Sequence, residues 1–329
     1  MDSAQNEKTD VKSEVARTLI EAMKQNNTPW QKPWNSQALL PMNPTSGNAY
    51  RGINRLLLSL SGRSDPRWMT YQQASTEGWQ VRRGEKGSHI IKLVELSPGH
   101  ASDGEQAAEP GSSTDAHQQK RFALKRYTVF NAEQIEGLTP FEAPSPLAES
   151  ETIARAERVM EALRQTGLSI AYSGNQAFYS PALDKIQMPP KASFHSTYDL
   201  YSTLLHEGAH STLHVKRMNR TEAISKQWGD EAYALEELRA EICSAILAAE
   251  TGVPRSQSNI DNHAQYLNAW IKSLTKHPMA LFSAAKDAEL MSAYMLNLEA
   301  KLTAQVAHQD WIAEYDQALA SKELELAHR

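Results

Sequence analysis

The sequence predicts an α+β fold in two domains, a small mixed α/β domain and a larger one of short strands followed by helices. Three observations predict it. The 329 residues suit two domains of ordinary size. Charge divides along the chain: residues 1–96 carry 13 Lys and Arg against 9 Asp and Glu, whereas residues 151–329 carry 17 against 22. Between them, residues 139–150 (TPFEAPSPLAES) hold three prolines and read as a linker. The expected domains are therefore 1–138 and 151–329.

The elements follow in order. Over residues 10–26, Val11, Val15, Leu19, Ile20 and Met23 recur at helical spacing. Thr28-Pro-Trp30-Gln-Lys32-Pro-Trp34 comes next, and its prolines forbid a continuous helix. Residues 83–87 (RGEKG) read as a turn, and 90–96 and 121–130 as two paired strands. The polar stretch 97–120 between them is rich in Gly, Ser, Ala and acids and reads as a disordered insertion. After the linker, a helix over about 151–166 stops at Gly167. Short strands are expected at 169–172, 177–179 and 185–188. Two helices with chemistry on them follow. Two longer ones close the chain, near 257–276 and after Pro278, where proline suits a first turn.

Composition excludes several classes. No apolar run is long enough to span a bilayer, and the first residues (MDSAQNEKTDVKSE) resemble neither a signal nor a transit peptide. The single cysteine, Cys243, excludes an internal disulfide and fits a reducing cytoplasm. Its place on the apolar side of a helix marks it as core.

The strongest chemical signal is Leu205-His206-Glu207-Gly208-Ala209-His210. On a helix, residues i and i+4 share a face, so both imidazoles can reach one cation. Glu207 lies about 100° around the helix, beside the open metal position, where a general base belongs. Tyr198, Leu200, Tyr201, Leu204 and Leu205 precede the pair at helical spacing, so one face is buried. A third ligand is needed. Glu237-Leu-Arg-Ala-Glu241 resembles the Glu-x-x-Ala-Asp pattern of zincins whose third ligand is a glutamate. On that pattern Glu237 is the ligand and Glu241 orients a histidine from behind. Glu236 is expected to be solvated, and His214, a turn beyond His210, to lie outside the ligand set. Ligands of two imidazoles and a carboxylate suit Zn²⁺, with Mn²⁺ or Co²⁺ as substitutes. The residues 184–188 are the expected edge strand beside the metal, able to hold an extended peptide. Gly208 is expected to let another segment approach the metal.

The N-terminal half carries a weaker signal. Four of seven tryptophans fall between Trp30 and Trp79, interleaved with basic residues. Aromatic faces stack on unpaired bases and cations neutralise phosphates, which points to single-stranded nucleic acid. Trp30, Trp34, Tyr50, Arg51, Arg55 and Lys86 are the expected contacts.

Residues 13–138 resemble the N-terminal domain of ArdC-type antirestriction proteins and TraC-type plasmid primases. The matching residues are Thr28-Pro-Trp-Gln-Lys-Pro-Trp34, Tyr50-Arg-Gly-Ile-Asn54, Arg67-Trp-Met-Thr-Tyr71, Arg83-Gly-Glu-Lys-Gly87 and Val129-Phe-Asn-Ala-Glu-Gln-Ile-Glu-Gly137. Residues 176–300 resemble the zincin-like metallopeptidase domain that follows it in ArdC. There the matches are Tyr179-Ser-Pro-Ala-Leu-Asp184, Leu205-His-Glu-Gly-Ala-His210, Arg217-Met-Asn-Arg220 and Glu236-Glu-Leu-Arg-Ala-Glu241. The resemblance implies a single-stranded-DNA-binding domain joined to a zinc-dependent peptidase-like domain. It implies protection of plasmid DNA from host restriction during conjugation, with host restriction proteins or other DNA-bound proteins as substrates. The alternative is a non-catalytic DNA-binding shield whose metal site is structural or vestigial.

Overall fold

A computed structural model describes residues 10–28, 40–96, 121–220, 229–254 and 257–327. The expected contacts Trp30 and Trp34, and the insertion expected at 97–120, lie outside the described residues.

The N-terminal half opens with helix α1 (Val11–Lys24), whose start is fixed by the Asp10 side chain accepting from the Lys12 N–H at 3.3 Å. Helices α2 (Ile53–Ser59) and α3 (Tyr71–Thr76) flank strand β1 (Trp68–Met69). The Thr70 and Gln73 side chains form a reciprocal capping box on α3. Strand β2 (Gln80–Val81) pairs with β5 (Ile135–Glu136). The two expected strands are a long antiparallel ribbon, β3 (Ser88–Leu96) and β4 (Arg121–Asn131), with β1 on the far side of β4. The free edge of β3 is closed at one point. Asn54 accepts from the Ile91 N–H at 2.7 Å and donates to the Ile91 carbonyl at 2.8 Å, as a neighbouring strand would.

Residues 139–148 have no regular structure, and helix α4 (Glu149–Arg164) follows. A three-stranded sheet comes next, from β6 (Ser169–Tyr172), β7 (Phe178–Ser180) and β8 (Lys185–Met188). Its order is β6-β8-β7, with β8 parallel to β6 and antiparallel to β7. This corrects the edge assignment. Both sides of β8 are hydrogen-bonded, so β7 is the edge on that side. Helices α5 (Thr197–Ser211), α6 (Gly229–Thr251), α7 (Gln257–Lys276) and α8 (Met279–Ala327) complete the chain. Among the described residues, no helix is long and apolar enough to cross a membrane.

The two halves share one core. Val15, Leu19 and Met23 of α1 and Leu56 of α2 are buried in one cluster with Met160, Leu204, Leu238, Trp270 and Met291. Arg55 is part of this junction, and its placement corrects an expected DNA contact. The residue is 4% exposed, and its guanidinium makes two hydrogen bonds to Glu289 of α8, at 3.0 and 2.8 Å. Glu289 also accepts from the Gly52 N–H at 3.1 Å. A guanidinium held this way is committed inside the protein and cannot reach a phosphate.

Candidate metal centre

Helix α5 begins at Ser196, whose hydroxyl accepts from the Asp199 N–H at 3.1 Å. From that start the helical period brings His206 and His210 onto one face, with their Nε2 atoms 3.2 Å apart. Helix α6 packs across this face and supplies three carboxylates. Glu237 faces both imidazoles: one oxygen lies 3.5 Å from His206 Nε2 and the other 3.6 Å from His210 Nε2. Donor atoms of His206, His210 and Glu237 all lie within 4.8 Å of one another, so these residues could hold a metal ion.

The far side of each imidazole is also occupied. Glu241 Oε1 lies 3.3 Å from His206 Nδ1, and Glu236 Oε1 lies 3.5 Å from His210 Nδ1. A carboxylate at Nδ1 holds the proton there and turns the Nε2 lone pair inward. Two imidazole nitrogens and a carboxylate converge there, an arrangement that suits a cation. The donor set of two nitrogens and one oxygen fits a Zn²⁺-like or Mn²⁺-like divalent ion.

Glu236 departs from the sequence expectation. It is 1% exposed rather than solvated. Arg220 donates to both of its oxygens, at 3.0 and 2.9 Å, and also to Thr212 Oγ1 at 2.9 Å. Arg220 thus fixes the carboxylate that fixes His210. No local pattern signals this, because Arg220 and Glu236 are sixteen residues apart. Arg239, one turn on, lies 3.9 Å from Glu236 and donates to Asp287 of α8 at 2.8 Å.

Burial dominates the electrostatics here, and the charged neighbours decide the sign. Desolvation lowers the basicity of His206 and His210, but the surrounding glutamates outweigh it and raise both above the ordinary range. Desolvation likewise opposes ionisation of Glu237, yet the two imidazoles hold its carboxyl well below the usual range. Glu207 is different. It is buried, it is not one of the three ligands, and desolvation raises it, with the imidazoles and the Tyr179 backbone N–H opposing. That N–H belongs to the edge strand β7, so the strand touches the carboxylate directly.

Strand β7 is tied down from behind. The Tyr179 hydroxyl donates to Asp184 at 3.0 Å, and Arg217 donates to the same hydroxyl at 3.2 Å and pairs with Asp184. His214 Nδ1 lies 3.4 Å from Asp184, outside the ligand set as expected. The fully buried Arg217 also donates to the Ser211 carbonyl at the end of α5. One guanidinium therefore joins the helix bearing the histidines to the sheet beside it.

Two phenols face the centre. The Tyr233 and Tyr266 hydroxyls are 3.5 Å apart, and the Tyr266 ring stacks on Trp270 at 6.1 Å. Burial, Tyr266 and then the charge of Glu237 raise Tyr233 far above the ordinary phenol, so it is a neutral donor. Tyr266 gave no sequence signal, since α7 has no motif around it. Gly208 also differs from expectation. A Cβ there would lie 3.1 Å from Met295, 3.2 Å from Met160 and 3.3 Å from Leu163. The missing side chain admits α4 and α8 on the back of the helix, not a segment at the metal. Cys243 is buried in the core, as expected.

Of the DNA contacts expected in the N-terminal half, Tyr50, Arg51, Arg55 and Lys86 are among the described residues. Trp68 is core, and Trp79 packs on Met69, Ala74, Val81 and Ile135. Tyr50 is half-buried and its hydroxyl donates to the Trp68 carbonyl at 3.1 Å. Arg51 and Lys86 are exposed.

Residues 155–287 match the zincin-like metallopeptidase family, and residues 9–130 match the N-terminal domain of anti-restriction factor ArdC. The crystal structure of the antirestriction protein ArdC from plasmid R388, in metal-free form, superposes with a TM-score of 0.70 at 33% identity. The match covers 89% of this chain and 98% of that one. The chain belongs to the ArdC antirestriction family. A Mn(II)-bound structure of R388 ArdC matches with a TM-score of 0.68, also at 33% identity, over 88% of this chain and 98% of that one. The y4eC protein of Sinorhizobium fredii (strain NBRC 101917 / NGR234) is 34% identical over 87% of this chain and 92% of its own length. Two Escherichia coli proteins named DNA primase TraC are 40% identical over 88% and 87% of this chain. The chain spans only 27% and 20% of their lengths. The two-domain α+β expectation agrees with these matches.

Proposed function

We propose that this ArdC-family chain binds single-stranded DNA through its N-terminal half and cleaves peptide bonds at a divalent-metal centre in its C-terminal half. Its role is to protect incoming plasmid DNA from host restriction during conjugation. The observation that carries the enzymatic reading is Glu207. A structural site needs His206, His210 and Glu237 but has no use for a fourth buried carboxylate that is not a ligand. The Mn(II)-bound relative supports a divalent ion, for which Zn²⁺ is our assignment. His206, His210 and Glu237 would hold it, and when bound it would supply Lewis acidity and a more acidic water.

The chain's own groups provide the rest. Glu207, with its affinity for protons raised by burial, accepts a proton from the attacking water and later delivers it to the leaving amine. The outer edge of β7 offers backbone groups to an extended peptide. Tyr233 and Tyr266 are placed to donate to the oxyanion, with Tyr266 held by its stack on Trp270. The ArdC match of the N-terminal half and the likeness to TraC primases support DNA as its ligand.

The test is Glu207→Gln, which keeps shape while removing the base. Conjugative transfer into a restricting host should lose its protection in this variant, while affinity for single-stranded DNA stays as in the wild type. Loss of a general base costs on the order of 10²–10⁴ in rate. Full protection by Glu207→Gln would replace the peptidase with a non-catalytic shield whose metal site is structural.

A further inference from the structure

A cleft of about 270 Å³ lies between α1, α2 and the β3–β4 ribbon, within the part matched by the ArdC N-terminal domain. Val15, Leu57 and Ile91 give it an apolar lining, and Thr18, His89 and Arg126 a polar one. We propose that this cleft takes one unpaired base of a single-stranded DNA, with Arg126 on the adjoining phosphate. The inference rests on the DNA-binding reading above and gives that reading a location.

The chemistry of the lining fits a base. A base has two apolar faces and a rim of hydrogen-bonding groups, and this cleft offers an apolar surface beside hydroxyl, imidazole and guanidinium groups. A base in a duplex is stacked and paired, so only an unpaired one can enter. At the mouth, Arg126 is paired with Glu14, and both side chains are partly exposed. The carboxylate occupies the place where a phosphate oxygen would bind. The ribbon is also cationic beyond the cleft. Lys92 sits directly across from Lys125, and both are exposed.

The Glu14–Arg126 pair gives the proposal a distinctive sign. If Glu14 competes with phosphate, Glu14→Gln binds DNA more tightly than wild type and Arg126→Ala more weakly. A purely structural ion pair would not move the two in opposite directions. Thr18 is exposed on α1 and lines the cleft, so Thr18→Trp fills the cleft without disturbing the core.

The experiment measures binding of the full chain to a labelled oligothymidylate and to an equally long abasic strand, over a range of salt. Wild type should prefer the strand with bases by at least about tenfold, the scale of one lost base contact. Thr18→Trp should narrow that preference by about tenfold, with an unchanged thermal midpoint. Arg126→Ala should weaken binding to both and lower the salt slope by about one. Wild-type binding by both Thr18→Trp and Arg126→Ala overturns the cleft and leaves the DNA-binding reading standing. Absence of any oligothymidylate binding by wild type overturns that reading and the cleft with it.

Discussion

Arg55→Met is the sharpest test of how the two halves are joined. The Arg55 and Glu289 side chains are 5% and 14% exposed, so both charges are largely withdrawn from water. Two hydrogen bonds between them and a third from the Gly52 N–H satisfy Glu289. Removing the guanidinium leaves a buried carboxylate without its cation, which costs about 3–5 kcal/mol. Unfolding entropy of about 2.1 cal/mol/K per residue over 329 residues makes that a fall of roughly 4–7 °C in the thermal midpoint. The double variant Arg55→Met/Glu289→Met removes both charges and should recover most of the loss, because apolar groups of similar size replace a buried pair at little cost. Calorimetry on wild type, both single variants and the double variant closes the cycle. A single-variant loss below about 1 kcal/mol, less than that of a typical buried pair, would refute the reasoning. So would an Arg55→Met protein that keeps its thermal midpoint but loses DNA affinity, since that would return Arg55 to the DNA surface.

Three further outcomes follow. Arg220→Met and Glu236→Gln should each weaken Mn²⁺ or Zn²⁺ affinity about 10–100-fold by titration calorimetry, since they unfix His210 without removing a ligand. His206→Ala should lose the metal outright, and a His206→Ala/His210→Ala variant that retains it in full would sink the site. Burial alone would raise the Asp184 carboxyl, but Arg217 outweighs it and holds it below the usual range. A carboxylate depressed in the folded state stabilises fully above its ordinary value and loses that contribution as pH falls through the folded one. Urea midpoints should therefore drop below about pH 4, and the drop should shrink in Arg217→Met. An identical acid limb in both proteins would contradict the pairing.

The sequence by itself determined what is local. Five apolar residues at helical spacing and a histidine pair four apart specify a helix with one buried face and one cation-binding face. The period that puts His206 beside His210 also separates Glu237 from Glu241 by one turn, so one element carries both roles. The apolar-rich runs at 90–96 and 121–130 specified the β3–β4 ribbon, because such short runs suit strands wherever they occur. Tertiary structure decided what depends on distant partners. Arg55 reads as a solvent-exposed cation until Glu289, 234 residues away, is placed against it. Glu236 reads as a solvated acid until Arg220 reaches it. Edge and centre in a three-stranded sheet depend on strand order, and the pattern of 185–188 is the same in either position. Gly208 looked like access to the metal because the motif surrounds it in sequence. A Cβ there would meet Met160 and Met295 instead, and only the packing of α4 and α8 against α5 could show that. Periodicity is a property of one segment and survives in the sequence. A charge's partner is a property of two segments, and only the folded chain brings them together.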